Sequence, residues 1–497
     1  MEHFFAWLFL LIIFSCLFVY IVLIWNYNFW KKRGIKGPKP KPFYGNITAV
    51  LSNHIIYELD RIYRQYKGKE PFVGIFVSRQ PRLLIIDPKF VREVLISNFK
   101  NFHRNEFPFP VDNKVEKLIA ENPFFINGMA EWKEKRAEIT PIKASYPIMT
   151  VVCKKLSKFI ELELENRTPD GIEAKDVRSA VFGIEGGAFS KGECRIRKEA
   201  IEIIGDPSTF DLIYLFIINA FPIIKKICYF PLISKQKEAF FTNLMHDAIV
   251  LREQTKDDRV DFLNYLLHLK EKKNLSEFNM AAHTFSFFID GFETSSVLIS
   301  HVIHMVTKHK EVQKKLREEL KGAISGDGSI PFEKLSELPY LDCVFNETLR
   351  LHPPAGYLTK CCTGPTEFTN SEGKNVPIDK NVIALIPTFS LHRDPEYYEK
   401  AEEFIPERFS ETNGGVKKFR DMGVFIPFGD GPRICLGMRF ALTQSKAAIA
   451  ELVLNWELTL NKKTKPEFVI DPKTMLTLMD GGVWVDYKKI HESKKTI

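Results

Sequence analysis

Cysteine is scarce in this chain. Eight residues (Cys16, Cys153, Cys194, Cys228, Cys343, Cys361, Cys362 and Cys435) are spread over 497 positions, with no Cys-x-x-Cys spacing. That argues against a disulfide scaffold and fits a reducing compartment. A strong excess of one charge sign is also missing. The net charge of +8 is small and scattered, which argues against a nucleic-acid partner. Internal repeats and low-complexity tracts are absent, so a repeat array is excluded. The N-terminus lacks a basic start: Glu2-His3 leads instead into an apolar run.

That run, Phe4 to Trp25, is apolar apart from Ser15 and the amphipathic Tyr20. As a helix it would be about 33 Å long, enough to cross a hydrocarbon core of about 30 Å. A cleaved signal peptide needs a basic start, a shorter apolar stretch and a small-residue cleavage site. Here the basic cluster Lys31-Lys32-Arg33 follows the run, and Trp25 and Trp30 stand near its exit. The sequence therefore predicts an uncleaved anchor at 1–30, with the body on the cytosolic side. A basic, proline-rich hinge at 31–42 carries "GPKPKP", too proline-rich for helix and suited to an extended spacer. The body of the chain occupies 43–497. In a cytosolic body, Asn46-Ile47-Thr48 and Asn166-Arg167-Thr168 are chance sequons.

The body reads as mainly α with small β-sheets. Val312–Ala323 and Arg439–Trp456 are helical in pattern. Short β-type runs fall at 72–77, 81–86 and 475–484, the last around an Asp480-Gly481-Gly482 turn. The 42 phenylalanines suit a large aromatic core, a roomy apolar pocket, or both. Leu212–Phe230, with Lys225 and Lys226 as its only charges, is either core or a face meeting the membrane surface.

One stretch concentrates chemistry. "FGDGPRICLG", Phe428 to Gly437, sets Cys435 just before a helical pattern beginning near Met438. A cysteine there meets the positive end of a helix dipole and can act as a thiolate. Gly429 and Gly431 permit a tight loop, and Gly437 lets a flat, bulky group pass close to the backbone. Arg433 offers a positive charge to an anionic group, and Phe428 can cover the sulfur. These are the needs of haem held by an axial thiolate with a propionate on an arginine. A dinucleotide loop does not fit, because the third position after Gly431 is Ile434.

Phe-x-x-Gly-x-Arg-x-Cys-x-Gly resembles the haem-binding loop of the cytochrome P450 family, the haem-thiolate monooxygenases. Glu347-Thr348-Leu349-Arg350 is similar to that family's Glu-x-x-Arg helix, and "PERF" at 406–409 to its partner segment, giving a triad of Glu347, Arg350 and Arg408. Trp132 and Arg136 match its Trp-x-x-x-Arg helix, and "HRDPEYY" the segment before PERF. The resemblance spans essentially the whole chain and is nearest to animal microsomal enzymes that oxidise drugs, toxins and steroids. It implies haem b (iron protoporphyrin IX) on Cys435, with Arg104, Trp132, Arg136, Lys360 and Arg433 toward the propionates. Lys360 keeps the charge of the more usual arginine or histidine but not the bidentate fork. "FFIDGFETSS" takes the place of the oxygen-activating helix, with Thr294 as hydroxyl, Glu293 as acid and Gly291 at a widened turn.

The implied reaction inserts one atom of O2 into an apolar small molecule. Electrons would come from NADPH through NADPH-cytochrome P450 reductase, with cytochrome b5 as a further candidate, at the endoplasmic reticulum membrane. Lys133, Lys135, Lys417, Lys418 and Arg420 are candidates for the docking face. A haem-thiolate isomerase or dehydratase acting on peroxides is the alternative within enzymes; the Glu293-Thr294 pair argues against it. Asp290 departs from the pattern, which has a small residue there. It either faces away and pairs with a neighbour, or enters the distal pocket and alters substrate choice or proton supply. The chain is also short by nearly ten residues between Val177 and Phe182, which keeps a catalytically impaired haem binder open. His301 and His304, three apart, read as helix surface rather than a zinc site.

Overall fold

A computed structural model of the chain describes residues 2–48, 53–107, 111–140, 156–158, 160–161, 172–173, 208–221, 223–256, 261–326 and 328–490. The short stretch between Val177 and Phe182 and the second sequon lie outside the described residues. Two compact units are formed, one from Met1–Pro110, Pro207–Phe230 and Tyr357–Ser390, the other from Val111–Asp206, Pro231–Gly356 and Leu391–Ile497.

Helices dominate, and nine short strands are described: β1 (Phe72–Val77), β2 (Gln80–Ile85), β3 (Ile172–Glu173), β4 (Leu358–Cys361), β5 (Thr366–Thr369), β6 (Asn375–Ile378), β7 (Ile383–Ile386), β8 (Trp456–Leu460) and β9 (Trp484–Lys489). The first unit carries the sheet β1-β2-β7-β4, in which β2 and β7 run parallel, and the hairpin β5-β6. The second carries β3-β9-β8. The turn expected at 480–482 is present, closed by Gly482 N–H to the Met479 carbonyl at 2.9 Å. The run before it is no strand, however. Met479 makes a single bridge to Ile470, and β9 pairs with β8 instead.

In the first unit, Glu2–Ile24 forms one helix. Among the described residues it alone is long and apolar enough to cross a membrane, and its side chains are almost all exposed. The hinge is extended, as its prolines require, but it does not hang free. Gly74 N–H donates to the Lys36 carbonyl at 2.9 Å, and Trp30 Nε1 donates to the Ile75 carbonyl at 2.9 Å. A Cβ on Gly74 would fall 2.2 Å from the Trp30 ring, so β1 must be bare there for the chain to dock. Leu212–Phe230 is core on one side only, through Tyr214, Ile218 and Ala220. Its helix, Thr209–Ala220, begins at a Ser208/Asp211 capping box. Phe210, Ile213, Ile223, Ile227 and Phe230 stay largely exposed.

The second unit is built around a 32-residue helix, Glu277–Lys308, capped by Ser276. Its C-terminal half is buried on nearly every side, against Lys310–Ala323, Pro339–Leu351 and Met438–Asn455. Lys310–Ala323 buries Val312, Leu316 and Leu320, an i, i+4 stripe that places its charges outward. Its N-terminal half buries Phe285 and Phe292, and Phe241 meets Phe285 edge-on at 4.9 Å. These phenylalanines are core.

His301 and His304 are core as well, contrary to their reading as surface. His301 sets Nδ1 2.9 Å from the His352 carbonyl and Nε2 2.8 Å from the Thr477 carbonyl, and its neutral ring can donate to one of them. Neither ring nitrogen of His304 has a partner. No group of three possible metal-ligating side chains occurs among the described residues. Burial holds His301 down to about 4 and His304 to about 3, with nearby Lys308 adding to the second. A folded pKa below the ordinary 6.5 means the unfolded chain takes up protons first as pH falls. Stability is therefore complete above about 6.5 and lost progressively below it, by roughly 2 kcal/mol per such histidine at pH 5. His304→Leu, of similar volume and with no polar bond to lose, should unfold at a urea midpoint no lower than the native protein at pH 7.5. It should also show a shallower drop between pH 7.5 and 5. An identical drop in both proteins would refute the account.

Candidate active site

The loop before helix Met438–Asn455 is shaped by its main chain. Gly429 and Gly431 have φ of 73° and 69°, left-handed values that a side chain would strain. Cys435 N–H donates to the Phe428 carbonyl at 2.9 Å and closes the loop, while the Asp430 carboxylate caps Gly431 N–H at 2.8 Å. Phe428 packs on the core. Gly437 stands at the helix start, and a Cβ there would meet nothing within 4 Å.

Cys435 is accessible, yet the atoms around it desolvate it enough to push its thiol pKa up. The N–H groups of Gly437 and Met438 pull the other way, and Asp290 adds to the rise. The helix start alone does not make this sulfur a thiolate; a bound cationic metal would have to draw the proton off.

Two arginines stand beside the loop. Arg136 donates from Nη2 to the Ile434 carbonyl at 2.8 Å. Arg433 donates from Nη1 to the Pro123 carbonyl at 3.1 Å and from Nη2 to that of Ile126 at 2.8 Å, and its guanidinium lies 4.7 Å from the Trp132 ring centroid. Arg433 Nε is buried without a partner. Desolvation and the neighbouring Arg136 lower Arg433 to about 10. Two crowded guanidiniums, one with an orphaned N–H, suit the carboxylates of a porphyrin. Together with an accessible but desolvated cysteine and open space over Gly437, they fit haem.

Arg104 and Lys360 lie in the other unit. Arg104 Nη2 donates to Cys361 Sγ at 2.6 Å, and Lys360 Nζ to Asn105 Oδ1 at 2.6 Å. An isolated bridge between Arg104 and Cys361 brings them together.

On the long helix, Thr294 is accessible and its hydroxyl donates to the Asp290 carbonyl at 2.6 Å. Glu293 is half-buried next to it. The helix is continuous through Gly291, without the expected widened turn; the Thr294 hydroxyl bonds the carbonyl that such a turn would release. Asp290 is accessible on the same face as Thr294. Asn122 Nδ2 donates to both its carboxylate oxygens, at 3.2 and 3.1 Å. Burial lifts this carboxyl to about 6, with the Asn122 bonds opposing.

Glu347, Arg350 and Arg408 meet. Arg350 is fully buried and spends five donor bonds: Nε and Nη2 on the two Glu347 oxygens at 2.8 Å each, Nη1 on the carbonyls of His392 and Ala401, and Nη2 on that of Glu403. Arg408 Nε reaches Glu347 Oε1 at 3.3 Å. A residue that sequence reasoning missed joins this network to the cysteine loop. His392 Nδ1 lies 3.3 Å from the Leu349 carbonyl, and Nε2 accepts from Ile426 N–H at 2.9 Å, two residues before Phe428. Its only signal was the leading position in "HRDPEYY".

The family model for cytochrome P450 matches residues 35–483. The chain is 40% identical over 494 residues to "Probable cytochrome P450 28a5" of Drosophila melanogaster, covering 95% of this chain and 97% of the relative. It is 38% identical over 488 residues to "Probable cytochrome P450 28d1" of the same fly, covering 94% and 96%. With "Cytochrome P450 6j1" of Blattella germanica it shares 30% identity over 491 residues, covering 95% and 96%. The chain belongs to the cytochrome P450 family, whose members are haem-thiolate monooxygenases, oxidoreductases that use O2 and work with redox partners.

Proposed function

We propose that this protein hydroxylates or epoxidises an apolar small molecule, using O2 and electrons passed from NADPH by cytochrome P450 reductase. The convergence of Cys435, Arg136, Arg433 and Trp132 on one loop carries this reading. Cys435 would be the axial ligand, and Arg136, Arg433 and Trp132 would hold the propionates. Bound haem supplies the oxygen-activating chemistry, to which an axial thiolate contributes electron density. Thr294 would hold a proton at Oγ1 on the accessible face, with Glu293 as the acid that replenishes it.

Residues 1–30 would anchor the protein in the endoplasmic reticulum membrane, 31–42 form the hinge, and 43–497 the catalytic body facing the cytosol. Lys133, Lys417 and Lys418 are exposed and suit an acidic reductase face. Lys135 does not, because it is paired with Glu121 at 3.0 Å and Glu138 at 3.7 Å. The exposed apolar face at 209–230 is a second membrane contact. A protein lacking residues 1–30 should still pellet with liposomes, and Ile223→Ser with Ile227→Ser should release most of it. Equal pelleting of both forms would remove that contact.

The reading is tested by mixing the purified protein with reductase and NADPH and screening apolar probes for products that carry one atom of ¹⁸O from ¹⁸O2. Turnover should require all three components. Conversion of peroxides without reductase or NADPH, and no labelled product, would overturn it in favour of an isomerase.

A further inference from the structure

Among the described residues, the Asp290 carboxylate is hydrogen-bonded but has no cationic partner. Its carboxylate is accessible, but the atoms around it desolvate it, as they do Cys435, and it acts on the cysteine through space. Among the described residues, its side-chain partner is the neutral amide of Asn122, and no lysine or arginine pairs with it. That amide cannot turn away. Asn122 is buried, and its Oδ1 accepts from Phe124 N–H at 2.8 Å, which commits Nδ2 to the carboxylate. Asp290 and Thr294 are i and i+4 on one accessible face. One flank of that face is apolar: Phe287 meets Phe440 at 4.6 Å, and Phe440 comes within 4.0 Å of a Cβ placed on Gly291. A desolvated anion without a counter-ion is costly unless a cation reaches it, and an apolar flank favours a cation with a hydrocarbon body.

We propose that Asp290, oriented by Asn122, is a specificity-determining residue that selects apolar substrates bearing a cationic nitrogen. The inference rests on the monooxygenase reading and names its substrate class. Of the two readings that the sequence left open, it takes the one in which Asp290 alters substrate choice, although the carboxylate also pairs with a neighbour, Asn122. Asn122 is a positioning residue here, and the carboxylate makes the contact.

The test compares two probes of one shape on the haem-loaded protein by equilibrium dialysis: (4-phenylbutyl)trimethylammonium and its uncharged tert-butyl isostere. A quaternary nitrogen can neither ligate iron nor donate a hydrogen bond, so the ratio of the two dissociation constants reports charge alone. Asp290→Asn should shift that ratio against the ammonium probe by about tenfold, which is about 1.4 kcal/mol. Asp290→Glu should keep most of the native preference. Asp290→Ser provides a second neutral variant should the asparagine protein fail to fold. A ratio within twofold of native in the neutral variants overturns the proposal. The reduced carbon monoxide spectrum of the same preparations reports on the haem-thiolate reading separately. A missing thiolate band with a shifted ratio overturns that reading alone, whereas a normal band with an unshifted ratio overturns only the assignment of Asp290.

Discussion

Glu347→Ala should destabilise the protein by about 3–5 kcal/mol and sharply reduce its capacity to hold haem. The substitution removes both acceptors of the Arg350 Nε and Nη2 bonds and leaves a fully buried guanidinium without its carboxylate. It also orphans Ile405 N–H, which donates to Glu347 Oε1 at 2.9 Å, and frees Arg408. Against a total stability of about 5–15 kcal/mol, the loss is a large fraction. Removing the pair together should not rescue it. In a Glu347→Met, Arg350→Met double variant the carbonyls of His392, Ala401 and Glu403 lose their donors, so buried acceptors go unpaired. The network runs on through His392 to Ile426 and so to the cysteine loop, which makes loop order the second readout. Urea unfolding and haem content of both variants measure this. Native midpoints and native haem content in Glu347→Ala would show that the triad neither supports the core nor orders the loop.

The motifs in the sequence were legible where local chemistry alone specified them. Phe428–Gly437 announced a tight loop, because three glycines, a proline and a helix start leave few other shapes. Helix Lys310–Ala323 followed from its i, i+4 stripe. Long-range partners were not legible. Nothing around His392 indicates that its ring joins a helix end to Ile426, 34 positions further on, since the intervening residues carry no periodic signal. His301 and His304 read as surface because two polar residues three apart usually are. Their burial follows from a helix packed on almost all sides, which periodicity cannot reveal. Asp290 was visible as a departure from a pattern, but its direction depends on Asn122, 168 residues earlier. The same limit applies to the charges. Lys135 looked available to a partner until Glu121 and Glu138 were placed beside it.

Cys435→Ser should fold and yet lose the function entirely. The loop is held by the Cys435 N–H to Phe428 carbonyl bond, the Asp430 cap and two left-handed glycines, none of which uses the sulfur. The urea midpoint of the haem-free variant should therefore match that of the haem-free native protein. The sulfur matters only to what it binds. On the proposed reading the native thiol, raised by desolvation, would ligate the haem iron as a thiolate, with the N–H groups of Gly437 and Met438 favouring the anion. A serine hydroxyl is far less acidic and offers no comparable anionic ligand. The native protein, reduced and saturated with carbon monoxide, should show the strongly red-shifted Soret band of a thiolate-ligated haem, and the serine variant should not. NADPH-dependent product formation should fall below detection in the variant, which lacks the thiolate that would hold the haem and tune its chemistry. Alanine should behave like serine, which separates loss of the ligand from any property of the hydroxyl. A serine protein that kept the red-shifted band would require another axial ligand and would remove Cys435 from the centre of the site. A native protein lacking the band while keeping its fold would instead leave the loop correctly shaped but unable to ligate haem through sulfur, and the assignment of catalysis would fall with it.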